Sequence, residues 1–242
     1  MKRRVMLFWI VVIVAAAAIS GCKKEEAIVV TADYLAASKW GPSNGRYGWY
    51  IEFRKDGTYD ENFAGEGCGG YKGTYAIANN AVVLNTNQKD ACTPDQKPVV
   101  NRKCVVEKDE KNLYRNVKLV CDGPYVYFRQ DSIAAAGRQV DIQGVPAVSM
   151  GAKNAVVKEA VMFRARPDKT GKVITCKGAG PDEKSSSALP KGMQLIVLAR
   201  TMEKARVGNW ENYWYYVDPN IDWYSSCDAG EGWVFGEFIE MK

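Results

Sequence analysis

Trp49-Tyr50-Ile51-Glu52-Phe53-Arg54-Lys55-Asp56-Gly57-Thr58-Tyr59 is the stretch whose reading decides the fold. Trp49, Ile51 and Phe53 alternate with Tyr50, Glu52 and Arg54, the two-residue period of a strand with one buried face. Lys55-Asp56-Gly57 turns the chain and residues 58–63 return it, so the unit is a hairpin. Downstream the grammar repeats. Residues 73–78 and 81–85 flank Asn79-Asn80, a good two-residue turn, and residues 99–107, 113–121 and 125–129 continue the series. Short strands joined by local turns predict an antiparallel barrel or sandwich over residues 28–131.

The pattern Trp49…Phe53…Asp56-Gly57-Thr58-Tyr59…Gly73-Thr74-Tyr75 resembles the small lipocalin-like barrels of exported bacterial proteins. Gly65-Glu66-Gly67-Cys68-Gly69-Gly70 satisfies G-x-G-x-x-G, but a dinucleotide site needs a helix to follow, and Tyr71 onward reads as a strand. It is a hairpin loop, not a nucleotide cradle. Residues 132–152, rich in Ala, Gly and Val, read as a linker, with a short helical turn or a strand at its end.

Residues 153–242 read again as strands: 155–158, 161–165, 173–176, 194–201, 213–217 and 232–239. The order of Val161-Met162-Phe163-Arg164-Ala165-Arg166-Pro167, Leu189-Pro190-Lys191-Gly192-Met193-Gln194-Leu195, Trp214-Tyr215-Tyr216-Val217 and Gly232-Trp233-Val234-Phe235-Gly236-Glu237-Phe238-Ile239 resembles a bacterial SH3-like domain. Leu195, Val197, Val217, Val234 and Ile239 suit a small barrel core, and Gly192 and Gly232 stand where the chain is expected to turn tightly. The resemblance implies a peptide-gripping aromatic groove with Trp214, Phe235 and Phe238 in it, and a cell-wall peptide, protein segment or peptidoglycan component as ligand. The whole chain is therefore expected to be all-β, with two small antiparallel modules, the second SH3-like.

The N-terminus reads as an address. Met1-Lys2-Arg3-Arg4 precedes an apolar run over residues 5–19, short of the roughly 20 residues that span a bilayer and suited to a secretory signal. The run ends in Ile19-Ser20-Gly21-Cys22, which resembles the lipobox of bacterial lipoprotein precursors. That resemblance implies removal of residues 1–21, acylation of Cys22, and a tether over 22–27 holding the protein on a membrane surface. Lys23 in place of Asp implies the outer membrane under enteric-type sorting.

The other six cysteines are Cys68, Cys92, Cys104, Cys121, Cys176 and Cys227. In an exported chain they read as disulfides. Cys104 and Cys121 lie symmetrically about a hairpin centred near residue 112. The ladder around Asn79-Asn80, extended outward, brings Cys68 opposite Cys92, and Cys176 then pairs with Cys227. No C-x2-C spacing supports zinc, so no metal is expected. Asp218-Pro219-Asn220-Ile221-Asp222 offers alternate oxygens, but Trp223 and Ala229 stand where an EF-hand needs Gly and Glu; it reads as a solvated acidic turn.

Charge and composition narrow the function. Lys and Arg total 33 against 28 Asp and Glu, and three of the cations precede residue 5. The remainder is nearly balanced, which argues against nucleic acid. There is no histidine in the 242 residues, which removes Ser-His-Asp and Cys-His nucleophiles and His-rich zinc hydrolase sites. The expectation is a non-enzymatic, cofactor-free binding protein of the cell envelope. The alternatives are a small-ligand carrier or sensor acting through the first barrel, and an envelope inhibitor of lysozyme or a protease.

Overall fold

The computed structural model describes residues 28–46, 48–63, 70–89, 101–177, 185–219 and 226–242. It is nearly all β, with 53% strand and 4% helix. A closed antiparallel barrel is followed by a curled sheet.

The barrel strands follow chain order: β1 (Trp40–Gly41), β2 (Trp49–Phe53), β3 (Thr58–Phe63), β4 (Tyr71–Ala78), β5 (Ala81–Lys89), β6 (Arg102–Lys108), β7 (Val117–Cys121) and β8 (Val126–Arg129), with β8 closing on β1. The hairpin that opened the sequence reading pairs Ile51 with Glu61 and Phe53 with Tyr59. Asn79 and Asn80 both have positive φ, 51° and 62°, the geometry of the favoured two-residue hairpin turn, which asparagine tolerates. The inward side chains fill the barrel: Trp40, Ile51, Tyr59, Leu84, Leu119 and Tyr127 are all buried. An eight-stranded barrel is narrow enough for side chains to occupy its interior, and each large apolar group so buried contributes roughly 1.5–3 kcal/mol.

One end is capped by α1 (Ala32–Ala36), whose N-cap Thr31 accepts from the Tyr34 amide. Leu35 is buried, and its carbonyl accepts from Trp40 Nε1 at 3.1 Å. Asn80 fixes the lead-in, accepting from Val30 N and donating to Ile28 O, while Lys55 pairs with Asp33. The hairpin turns at that end thus carry their own lid.

Residues 132–152, read as a linker with a short helical turn or a strand at its end, contain more strand than that reading gave them. They supply β9 (Gln139–Ile142) and the first half of β10 (Val145–Val157). β10 pairs with β9 and then β14 (Gln194–Thr201), with a register shift between Ser149 and Lys153. Gly151 and Ala152 have positive φ there, so the long strand bends and serves both halves of the curl. The sheet runs β19 (Gly232–Phe235), β17 (Trp214–Asp218), β14, β10, β20 (Ile239–Met241). Short pairs decorate it: β11 (Val161–Met162) with β13 (Ala188–Leu189), β12 (Cys176–Lys177) with β18 (Ser226–Cys227), and β15 (Ala205–Val207) with β16 (Trp210–Asn212).

Both faces of this sheet are covered. One packs Val157, Phe163, Leu195, Val197, Val217, Val234 and Ile239 into the curl, a core that includes the five aliphatic residues expected to fill it. The other packs Leu198, Trp214, Tyr216, Trp233 and Phe235 against Ile142, Ala147 and Tyr114. Gly192 turns the chain at φ +86°, as expected, but Gly232 lies within β19. A Cβ there would come 2.5 Å from Ile174 Cδ1, 2.6 Å from Phe163 Cε2 and 2.8 Å from the Arg164 carbonyl, so close packing and not a turn requires glycine.

Candidate functional site

Trp214 and Phe235 are register partners on β17 and β19, with ring centroids 5.3 Å apart, and Phe238 lies 6.3 Å from Phe235. The three expected groove residues are therefore neighbours. Trp214 and Phe235 are 3% and 2% exposed, inside the layer covered by Ile142 and Tyr114. Phe238 is half-buried. Its ring meets Trp210 edge-on at 5.3 Å, and Trp210 is 46% exposed at the end of the β15–β16 hairpin. The solvent-facing aromatic surface thus runs over Trp210 and Phe238. Trp210 was not singled out from the sequence, although Gly208-Asn209 between two short β runs signals a hairpin with a tryptophan beside its turn.

The first barrel holds a polar cluster that no motif announces. Glu61 on β3, Arg102 on β6 and Tyr127 on β8 converge inside it, all buried. Both Arg102 amino groups bond the Glu61 carboxylate, one of them also donates to the Tyr127 oxygen at 3.2 Å, and the Tyr127 hydroxyl donates to Glu61. Beside them Tyr59 and Thr86 share a 2.8 Å hydroxyl bond. Burial raises the Tyr127 phenol far above its ordinary range, and the Glu61 charge adds to that. For Arg102 burial opposes the charge, but Glu61 overrides it and holds the guanidinium more firmly protonated than usual. The Arg102 Nε, also buried, has no hydrogen-bond partner among the described residues. Above the cluster, toward the end opposite α1, sit half-buried aromatics: Trp49 meets Phe63 at 5.3 Å and Tyr71 at 6.1 Å, and the Arg102 guanidinium stacks on Tyr125 at 4.5 Å.

A second polar constellation joins the modules. Tyr114, in the β6–β7 connection, places its hydroxyl 2.8 Å from Asp218 Oδ2 and 2.7 Å from Glu231 Oε1. Tyr216 donates to Glu231 at 3.2 Å, and Arg46 lies 2.5 Å from Asp218 Oδ1. Burial, reinforced by both carboxylates, raises the Tyr114 phenol far above its usual value. Asp218 and Glu231, two of the acidic residues around the expected acidic turn, are thus engaged with the first barrel; Asn220 and Asp222 lie outside the described residues. Among the described residues no three His, Cys, Asp or Glu side chains are grouped closely enough to hold a metal ion.

Two of the expected disulfides are formed, Cys104–Cys121 between register partners of β6 and β7, and Cys176–Cys227 between β12 and β18. Cys22, Cys68 and Cys92 lie outside the described residues. No described helix is long and apolar enough to cross a membrane. Compared with known proteins, the chain matches no family model, no curated protein and no solved structure.

Proposed function

We propose that the protein is a membrane-tethered binding protein of the bacterial cell envelope. On this reading the second module is SH3-like and recognises a peptide or peptidoglycan component without catalysing a reaction. The observation that carries the reading is Trp210, nearly half exposed and braced edge-on by Phe238, whereas Trp40 and Trp233 are fully buried. A tryptophan held out on a disulfide-supported scaffold loses little conformational freedom when a ligand covers it, and such rings anchor interfaces. The lipobox-like residues before Cys22 and the disulfides fit an oxidising compartment outside the cytoplasm. The groove members expected from the resemblance, Trp214 and Phe235, support the recognition surface from beneath, and Phe238 contributes directly.

The test is retention of the full chain, in detergent, on purified peptidoglycan. Wild type is expected to be retained, and Trp210→Ala to lose at least about tenfold in affinity, the scale of an interface anchor. Equal retention of the two proteins, or no retention of wild type, defeats the reading. A second reading, small-ligand carriage by the first barrel, is favoured by one observation: the half-buried Trp49, Phe63 and Tyr71 rings at its mouth. Below them the barrel is filled, which confines any such ligand to the rim.

A further inference from the structure

The β15–β16 hairpin lies with one face over the turn Gly236–Phe238. Its register pairs Ala205 with Asn212 and Val207 with Trp210, and alternation along the strands puts these four side chains on one face and Arg206 and Glu211 on the other. Ala205 and Val207 pack on the apolar layer that holds Trp214 and Phe235. The Trp210 ring meets Phe238, and two residues along β16 Asn212 Nδ2 donates to Glu237 Oε2 at 3.4 Å. Asn212 is itself held, its Oδ1 accepting from the Tyr213 amide at 2.8 Å. The adjacent residues Glu237 and Phe238 thus bring a carboxylate beside the aromatic shelf.

That carboxylate has no cation of its own. Among the described residues its side chain is held by the long bond from Asn212, and no Lys or Arg pairs with it. Arg200 and Lys204, the cations just before the hairpin, lie instead over the Tyr213 ring at 4.1 and 5.9 Å. Arg206 and Glu211, register partners exposed on the hairpin's other face, contribute one charge of each sign. Glu237 is half-buried, so its field is screened less than that of a fully exposed group. A solvent-facing indole next to an unpaired carboxylate suits a cation. The ring quadrupole and the carboxylate both attract an ammonium, and Phe238 and Val207 offer apolar surface for the alkyl stem that carries it. An anionic ligand would meet repulsion from Glu237.

We propose that the Trp210 surface takes a peptide through a side chain that ends in a primary ammonium, the ammonium resting between the Trp210 indole and the Glu237 carboxylate and its stem on Phe238. The proposal rests on the recognition surface argued above and adds the charge of what that surface takes. The probe is acetyl-Ala-Lys-Ala-amide, compared with its Nε-acetylated form and with acetyl-Ala-Glu-Ala-amide, each titrated into the full chain in detergent and followed by saturation-transfer NMR. The lysine peptide is expected to bind in the millimolar range or tighter, and both comparison peptides at least about tenfold more weakly. Glu237→Gln, which keeps an acceptor for Asn212, is expected to weaken the lysine peptide about threefold and to remove most of its sensitivity to added salt, leaving the acetylated peptide unchanged. Trp210→Ala is expected to weaken the lysine peptide about tenfold. The comparison of peptides uses the wild-type chain, so it holds whether or not a variant folds. No binding of the lysine peptide, three peptides binding alike, or salt sensitivity that survives Glu237→Gln would overturn the site. In that event, retention on peptidoglycan that still depends on Trp210 would leave the recognition surface standing, and retention that does not would take down both.

Discussion

Replacing Arg102 by methionine tests the account of the first barrel most directly. The Arg102 and Glu61 side chains are 2% and 0% exposed, so neither charge has water to fall back on. The substitution removes both guanidinium contacts from Glu61 and leaves the Tyr127 hydroxyl as the donor still aimed at it. Breaking one partner of a buried pair typically costs 3–5 kcal/mol, so Arg102→Met is expected to lower stability by about 4 kcal/mol. That is a large part of the ~5–15 kcal/mol a domain has. Removing both charges is different, because the desolvation cost disappears with them. Glu61→Leu combined with Arg102→Met is expected to recover to within about 2–3 kcal/mol of wild type, the residue being the buried Tyr127 hydroxyl left without either partner and the lost stack on Tyr125. The assay is urea unfolding followed by circular dichroism across the four members of the double-mutant cycle. A loss below about 1 kcal/mol for Arg102→Met, or a double variant equal to the sum of its singles, would show that the cluster is not a tightly coupled buried pair.

Three further outcomes follow from other parts of the molecule. Gly232→Ala places a methyl group in contact with Ile174, Phe163 and the Arg164 carbonyl, and is expected to cost about 1–3 kcal/mol in thermal unfolding; an unchanged midpoint would show that β19 can move aside. Tyr114→Phe deletes the hydroxyl shared by Asp218 and Glu231 and is expected to cost about 1–3 kcal/mol and to separate the unfolding of the two modules in calorimetry. A single unshifted transition would deny Tyr114 a joining role. Asp131 has its pKa held below the usual carboxylate range chiefly by the Arg129 hydrogen bond. Its contribution is therefore present above the unfolded-state pKa and lost as pH falls through the lower folded value. Because Asp131 is about half exposed, the effect is below about 1 kcal/mol, and the stability gap between wild type and Arg129→Gln is expected to narrow on acidification through pH ~4. A gap that widens would reverse the sign.

What the sequence determined by itself is everything that depends on neighbours along the chain. The period of Trp49 to Phe53, the Asn79-Asn80 turn and the symmetry of Cys104 and Cys121 about their hairpin each report a local geometry, and each is present. The aliphatic residues of the second core were legible for the same reason, since alternation along a strand states which side chains share a face. The missed features are those that compare distant segments. Residues 132–152 looked like a linker because their Ala and Gly content suggests loop, although Val140 and Ile142 alternate with Gln139 and Asp141 in β9; the small Ala147 and Ser149 of β10 are buried where the strand pairs on both edges.

Only the tertiary structure decided which aromatics meet solvent. Trp214 and Trp210 carry the same ring; Gly208-Asn209 marks the hairpin beside Trp210, but nothing near Trp214 in sequence reveals that Ile142 and Tyr114 cover it. Only the closed barrel brought Glu61, Arg102 and Tyr127 together across separations of 25 to 66 residues, and only the joint between modules carried Tyr114 to Asp218 and Glu231. The physical reason is common to all three. A side chain's periodicity fixes the direction in which it points, whereas burial and charge pairing depend on what the folded chain places opposite it.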